Sequence, residues 1–260
     1  MEAIEPPKVG FLVAGVQKGG TTALFDYLRD HPELLLPKIK EAHFFDDEGV
    51  DWGRPDYGRY HDLFAPAAGS QALLWGEATP INVYWPRSLE RIAAYNPAMR
   101  LVLVFRDPVE RAWSHWKMEY ARGAEKEPFA WCVREGRARV ATDPSAPGFH
   151  REYSYVERGF YGAQVQRLLA LFPRDQLLFL RSEDLRSEPE RILSKVCDFL
   201  NAPRLPQVKV KESHVSRQID YGISITPDDR TYLLSLFCED QAVFSHLTGL
   251  RFSPGEGFEK

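Results

Sequence analysis

A short run of small residues around a lysine carries the strongest chemical signal in the sequence. Residues 15 to 22 read G-V-Q-K-G-G-T-T, between an apolar run and a segment with helical spacing. A turn of small residues between a buried strand and a helix points several backbone N–H groups at one spot, where the helix dipole favours negative charge. Lys18 can add a cation there, and Thr21 and Thr22 can add hydroxyl donors. We therefore expect a phosphate or sulfate site; the alternative is a plain tight turn with a solvated lysine.

This loop departs from the common nucleotide-binding patterns. In a Walker A loop the lysine stands directly before the hydroxyl residue that binds magnesium, whereas Lys18 comes before both glycines, Gly19 and Gly20. The sequence also lacks the G-x-G-x-x-G of dinucleotide-binding folds at this point. The register therefore argues against an ordinary ATPase.

A second segment places an arginine and a serine around the start of a predicted helix. Residues 105 to 116 read F-R-D-P-V-E-R-A-W-S-H-W, so that Arg106 follows an apolar run and Ser114 comes two helical turns later. A guanidinium can bind a phosphate through two N–H groups. The alternative is a salt bridge between Arg106 and Asp107 at the end of the strand.

Two further segments bring polar residues close to aromatic ones. Residues 37 to 46 read P-K-I-K-E-A-H-F-F-D, and residues 76 to 85 read G-E-A-T-P-I-N-V-Y-W. On composition alone, the first is equally consistent with a loop that Phe44 and Phe45 anchor and whose charges are exposed.

Alternating strands and helices must position these segments. Continuous apolar runs predict buried strands at residues 9 to 15, 101 to 105 and 177 to 180. Helical spacing predicts helices at residues 21 to 31, from Pro108 onward, at 161 to 172 and at 188 to 200. Strands that alternate with helices imply βαβ units. We predict an α/β fold with a P-loop-type parallel sheet and helices on both faces.

Composition limits the remaining possibilities. With 260 residues, 44% of them hydrophobic and 27% charged, the chain is expected to form one globular domain over residues 1 to 260. The net charge of −4 argues against a general nucleic-acid-binding protein. No apolar stretch approaches the roughly 18 residues that cross a bilayer. Three widely spaced cysteines indicate a reducing compartment, and we expect a cytoplasmic protein.

Taken together, the motifs resemble the sulfotransferases that use 3′-phosphoadenosine 5′-phosphosulfate (PAPS), in the form found in heparan sulfate sulfotransferases and related bacterial enzymes. The resemblance covers about residues 9 to 200 and includes R-G-F-Y at 158 to 161 and L-L-F-L-R-S-E-D-L at 177 to 185. It implies the sulfotransferase fold and transfer of a sulfuryl group from PAPS, with 3′-phosphoadenosine 5′-phosphate (PAP) as the product and no metal. The acceptor would be a hydroxyl or amine of a small molecule, sugar or lipid.

The resemblance also implies roles for individual residues. Lys18 would stabilise the leaving phosphate, and residues 19 to 22 (Gly19, Gly20, Thr21 and Thr22) would hold the 5′-phosphate. Arg106, Ser114 and Arg217, the last in K-E-S-H-V-S-R, would bind the 3′-phosphate. Glu41 would be the general base, with His43 as the alternative. The acceptor would be bound by His43, Asp46, Glu77 and Tyr84. Ala78 replaces a lysine that is common in the heparan enzymes, which argues against a polyanionic acceptor.

Two other functions remain open from the sequence. An ATP-dependent P-loop kinase would require magnesium and prefer a triphosphate. A nucleotide-binding module without transfer activity would have lost the loop lysine or the base, but Lys18 and Glu41 are both present.

Overall fold

A five-stranded parallel sheet organises the part of the chain that the computed structural model describes, namely residues 7–64, 74–141, 151–205 and 224–252. The strand order is β2-β3-β1-β4-β5, and every pairing is parallel. The strands are β1 (Phe11–Gly15), β2 (Leu34–Leu35), β3 (Leu74–Glu77), β4 (Arg100–Phe105) and β5 (Leu177–Arg181). Because the strands are parallel, their carboxyl ends lie at one edge of the sheet, where open α/β sheets bind ligands.

Helices connect the strands and extend beyond them. In chain order they are α1 (Thr21–Arg29), α2 (Tyr57–His61), α3 (Ser88–Tyr95), α4 (Pro108–Arg122), α5 (Phe129–Cys132), α6 (Ala138–Ala141), α7 (Tyr161–Leu171), α8 (Ser182–Ser187), α9 (Pro189–Leu200) and α10 (Pro227–Thr248). Short 3₁₀ turns lie at Glu135–Arg137, Glu157–Gly159 and Arg174–Gln176. The predicted α/β class, a parallel sheet flanked by helices, is confirmed.

The described residues form two compact units. The first comprises residues 7–105 and 167–205, and the second comprises residues 106–166 and 224–252. The chain passes to the second unit where β4 ends and returns to the first within α7. That the two units fold together as one domain stays a prediction.

The core of the first unit explains why its strands are continuously apolar. Phe11 and Val13 of β1 and Val102 of β4 belong to one buried cluster with Leu24 of α1 and Val196 of α9. Alternate residues of β4 point to opposite faces, yet all of residues 101–105 are buried. Strands covered on both faces need apolar residues at every position.

The second unit is built from helices around an aromatic core. Trp116 of α4, Phe129 of α5 and Phe237 of α10 are buried in one cluster. The helix α10 begins with a capping box between Thr226 and Asp229, which satisfies its first amides. This signature, T-P-D-D, is readable in the sequence and predicts the start of a helix.

The strands and helices predicted from the sequence are confirmed to within two residues at each end. The strands β2 and β3 and the helices α2, α3, α5, α6, α8 and α10 were not predicted from the sequence.

Candidate functional site

Close backbone contacts fix the loop between β1 and α1. The N–H of Val16 donates to the carbonyl of Val104 (3.0 Å), and the N–H of Gly19 donates to the carbonyl of Val16 (2.9 Å). A Cβ on Gly19 would overlap the Val104 oxygen, so that glycine is required for this close approach. Lys18 and Gly20 both have positive φ, 68° and 95°. The loop is therefore a tight, defined turn.

The start of α1 completes this turn. Gly20 is the N-cap residue, and no side chain caps the helix. Helix geometry leaves the first amide groups without carbonyl partners inside the helix, so they and the dipole favour an anion. Thr21 is buried and Thr22 is exposed. The structure thus brings Lys18 to Thr22 together in one turn, and their part in donor binding stays a prediction.

A second cluster of charged side chains lies in the connection between β2 and α2. Lys40 Nζ is 2.5 Å from Glu41 Oε1, and His43 Nε2 is 3.4 Å from Glu41 Oε2. His43 Nδ1 is 2.8 Å from Oδ2 of Asp46, whose side chain is fully buried. The imidazole therefore bridges two carboxylates, and the structure brings Glu41, His43 and Asp46 together; their roles in the reaction stay a prediction.

These contacts set the charge of each group. Burial opposes ionisation of Glu41, but hydrogen bonds and charge from His43 and Lys40 outweigh it and lower the pKa of Glu41 from 4.5 to about 2. The hydrogen bonds with Asp46 and Glu41 raise the pKa of His43 from 6.5 to about 9. At neutral pH, Glu41 is therefore an anion and His43 a cation.

The backbone at these residues is strained. Five non-glycine residues of the described ranges have positive φ, and three of them are the predicted catalytic residues Lys18 (68°), Glu41 (69°) and His43 (51°). Such conformations cost about 1–3 kcal/mol each and cluster at functional sites. The other two, Arg87 and Asn201, flank helix ends.

The end of β3 contributes the remaining predicted residues of the first unit. Glu77 is 1% exposed, and its Oε2 accepts a hydrogen bond from Thr79 Oγ1 (2.7 Å). Burial, opposed by the Thr79 hydrogen bond, raises the pKa of Glu77 from 4.5 to about 7. Tyr84 is half-buried in the turn that follows. Acceptor binding by Glu77 and Asp46 stays a prediction, and their burial favours a supporting role.

The second unit contains the predicted arginine and serine. Arg106 directly follows β4, and its Nη2 lies 3.6 Å from Glu110 Oε2. Asp107 does not pair with Arg106; its carboxylate caps α4 by accepting from the N–H groups of Val109 (3.0 Å) and Glu110 (2.9 Å). The alternative of an Arg106–Asp107 salt bridge was therefore wrong about the partner.

Sequence reasoning missed a lysine close to Arg106. Lys117 lies one helical turn after the half-buried Ser114 on α4. Burial and the charge of Arg106 lower the pKa of Lys117, whereas the charge of Glu110 opposes them. Two neighbouring cations and a hydroxyl favour an anion. The spacing S-x-x-K could have revealed this lysine.

Other residues were missed or cannot be placed. Lys40 and Thr79 hold Glu41, His43 and Glu77, and only the adjacent K-E pair hinted at the first of these contacts. Arg217 lies outside the described residues.

The sheet and its first turn define the class of the protein. It is an α/β protein of the P-loop type, in which a glycine turn leads from the first strand of the chain into the first helix. More narrowly, the chain belongs to the sulfotransferase domain family, which matches residues 9–218. The sequence-based recognition of this family is confirmed.

Relatives of known function share the same region. The chain is 32% identical over 197 residues to human heparan sulfate glucosamine 3-O-sulfotransferase 3B1, covering 75% of this chain and 46% of that protein. It is 32% identical over 202 residues to heparan sulfate glucosamine 3-O-sulfotransferase 6 of Mus musculus, covering 75% of this chain and 52% of the relative. The chain thus spans about half the length of the curated relatives it matches.

Solved structures match more of the chain. A sulfotransferase from Alicyclobacillus acidocaldarius superposes with a TM-score of 0.74 at 26% identity, over 96% of this chain and 99% of that one. The sulfotransferase domain of the curacin biosynthetic pathway, at 20% identity and a TM-score of 0.51 over 77% and 76% of the two chains, shares the fold. Of the helices described above, none has the length and apolar character that crossing a bilayer requires.

Proposed function

We propose that the protein is a PAPS-dependent sulfotransferase that transfers a sulfuryl group to a hydroxyl or amine. The observation that carries this proposal is the strained backbone shared by Lys18, Glu41 and His43. The loop of Lys18 follows β1, and the segment of Glu41 and His43 is bonded to the end of β3, the strand that pairs with β1. The proposed donor-binding lysine would therefore follow one strand, and the proposed base would be held by hydrogen bonds at the end of the neighbouring strand.

The described residues fit an anionic donor. The turn of Gly19 to Thr22 offers amide groups at the start of α1, and Lys18 adds a positive charge for the 5′-phosphosulfate. Arg106 and Ser114 would bind the 3′-phosphate, and Lys117 extends this predicted set by one cation. No metal ion is part of the proposed reaction.

The proposed step is an in-line displacement at sulfur. The acceptor oxygen forms a bond to sulfur while the bond from sulfur to the bridging phosphate oxygen breaks, and the electron pair remains on that oxygen. The acceptor's proton passes to the carboxylate of Glu41. Lys18 stabilises the charge that develops on the leaving phosphate, which then departs as part of PAP.

The charges in the cluster favour Glu41 over His43 as the base. His43, with a pKa of about 9, already holds its proton at neutral pH and cannot accept another. Glu41 is ionised, and its low pKa makes it a weak base. A weak base suffices when the acceptor's proton becomes acidic as its oxygen bonds to sulfur. His43 would then orient the carboxylate.

The surroundings of His43 favour an acceptor that is not a polyanion. A cavity of about 360 Å³ is lined by three cations, His43, Arg54 and Arg59, and by three carboxylates, Asp47, Asp51 and Asp56, so that its positive and negative charges balance. Ala78 supplies no cation at the end of β3. Heparan sulfate, which the curated relatives are named for, carries many negative charges that this lining does not match. A small, weakly charged hydroxyl compound, sugar or lipid head fits better.

The test is a comparison of ligands by thermal shift. We expect PAP without metal to raise the melting temperature strongly, since a ligand at 100 times its Kd stabilises by about 2.7 kcal/mol. ATP with magnesium tests the alternative of a kinase. Adenosine 5′-monophosphate, which lacks the 3′-phosphate, tests how much that phosphate contributes to binding. Stabilisation by ATP and magnesium alone would favour the kinase instead. PAP binding without sulfate transfer to any acceptor in a broad screen would favour a binding module.

The cytoplasmic location stays a prediction. It rests on the three cysteines, all of which have free thiols.

A further inference from the structure

Residues at the end of β3 hold the base segment, namely Glu41 to His43. The N–H of Glu41 donates to the carbonyl of Ala78 (3.0 Å). The N–H of His43 donates to Thr79 Oγ1 (3.4 Å). Thr79 in turn donates its hydroxyl proton to Glu77 (2.7 Å). The Glu77 carboxylate is therefore linked to the His43 amide through one hydroxyl.

These hydrogen bonds act where the backbone most needs support. Glu41 and His43 both adopt positive φ, a conformation that their side chains disfavour. It persists only when surrounding contacts fix it. The position of Glu77 is itself fixed, because it pairs with Leu12 in the sheet and is 1% exposed. A rigid strand thus determines the direction in which the Glu41 and His43 side chains point.

We propose that Glu77 is a positioning residue, which holds the segment of Glu41 to His43 in its strained conformation through the hydroxyl of Thr79. This inference rests on the proposed function, since it assigns the reason why Glu41 meets the acceptor in a productive orientation. Glu77 itself touches neither substrate nor donor in this role. It acts on turnover, because misplacing a catalytic group by about 1 Å can cost on the order of 100-fold in rate.

The surroundings of Glu77 make its action depend on pH. The titratable groups that act on it or are acted on by it are Asp46 and His43 from the base segment and Tyr60 from α2. Burial raises the pKa of Glu77 to about 7, and the negative charge of Asp46 adds to that effect. Below this pH Glu77 gains a proton and accepts the Thr79 hydrogen bond more weakly. Turnover should therefore fall as the pH drops below about 7.

The first experiment replaces Glu77 by a neutral residue of the same shape. In Glu77→Gln we expect turnover to fall by about 10- to 100-fold at pH 8, with the acceptor KM and the Kd for PAP changed less than about 2-fold. In this variant, turnover should not fall further as the pH drops below about 7, because glutamine mimics the protonated carboxyl. Glu125→Gln, which neutralises a buried carboxylate of the second unit, is the control for lost stability. Its turnover should still fall as the pH drops below about 7.

The second experiment needs no acceptor substrate for sulfate transfer. Hydrogen exchange of the His43 amide should accelerate several-fold in Glu77→Gln, because the neutral group accepts the Thr79 hydroxyl more weakly. Exchange of the His43 amide should accelerate in Thr79→Val, whereas Thr79→Ser, which keeps the hydroxyl, should exchange as the wild type does. These variants also serve if Glu77→Gln does not fold.

The outcomes separate the two proposals. Unchanged exchange of the His43 amide, or unchanged turnover in a folded Glu77→Gln, would overturn the positioning role. A raised acceptor KM with unchanged turnover would make Glu77 a direct acceptor contact instead. If the wild type binds PAP but transfers no sulfate while the exchange results hold, the proposed function fails and the support of the segment stands.

Discussion

Replacing Glu41 by glutamine separates the proposed chemistry from binding and from stability. The side chain keeps its size but loses the charge that Lys40 (2.5 Å) and His43 (3.4 Å) contact. Glutamine cannot accept the acceptor's proton as a carboxylate does. We therefore expect Glu41→Gln to lower turnover by about 10²- to 10⁴-fold, the usual contribution of a general base.

The stability cost of the same change is small. A carboxyl whose pKa falls from 4.5 to about 2 gains up to about 3 kcal/mol from its partners above pH 4.5. Because the Glu41 side chain is 37% exposed, solvent screening reduces this to about 1 kcal/mol. For a chain of this size we expect a melting temperature lower by about 2–4 °C at pH 7. The loss of activity cannot then be attributed to unfolding.

The assay combines titration calorimetry with PAP and single-turnover sulfate transfer. Glu41→Gln should bind PAP as the wild type does, whereas Lys18→Ala should lose both affinity and turnover, because the lysine contacts the donor before and during the reaction. Near-wild-type turnover in Glu41→Gln would refute the base assignment. If His43→Ala then abolished transfer, the base would be His43.

Three further predictions concern other parts of the site. The pKa of His43 rises from 6.5 to about 9 on folding, so its stabilisation is complete below pH 6.5 and lost as the pH rises through 9; the melting temperatures of wild type and His43→Gln should converge over this interval. Gly19→Ala would force a Cβ against the Val104 oxygen, and we expect a destabilisation of about 1–3 kcal/mol in denaturant unfolding; a melt equal to the wild type would mean that the loop can widen. Arg106→Ala and Ser114→Ala should weaken PAP binding at least several-fold and leave binding of adenosine 5′-monophosphate nearly unchanged; early melting with normal PAP affinity would assign both residues to structure.

The parts of the fold that the sequence predicts correctly depend on local signals. Continuous apolar runs mark β1, β4 and β5, and Pro108 marks the first turn of α4. The strand β3 was not predicted, because it has only four residues and contains a glycine, Gly76. The ring of Phe11 occupies the space that a side chain at Gly76 would need. That contact joins residues 65 positions apart, and no local pattern reports it.

The same limit applies to the candidate site. The loop sequence singles out Lys18, and the family resemblance adds Glu41 and His43, but neither predicts the conformation of these residues. Lysine, glutamate and histidine rarely adopt positive φ, so the strain follows only from distant contacts. The hydrogen bond from the His43 amide to Thr79 spans 36 positions. Such partners become visible only in the folded chain.

The strained backbone has a consequence for engineering this protein. At Lys18, Glu41 and His43, glycine would relieve about 1–2 kcal/mol of steric strain per position. At Glu41 and His43 the same replacement would also remove the contacts with Lys40 and Asp46. A library selected only for heat resistance would therefore respond to the balance of these effects and not to activity. Thermostable variants for practical use should be sought with these three residues unchanged, because stability and catalysis place different demands on them.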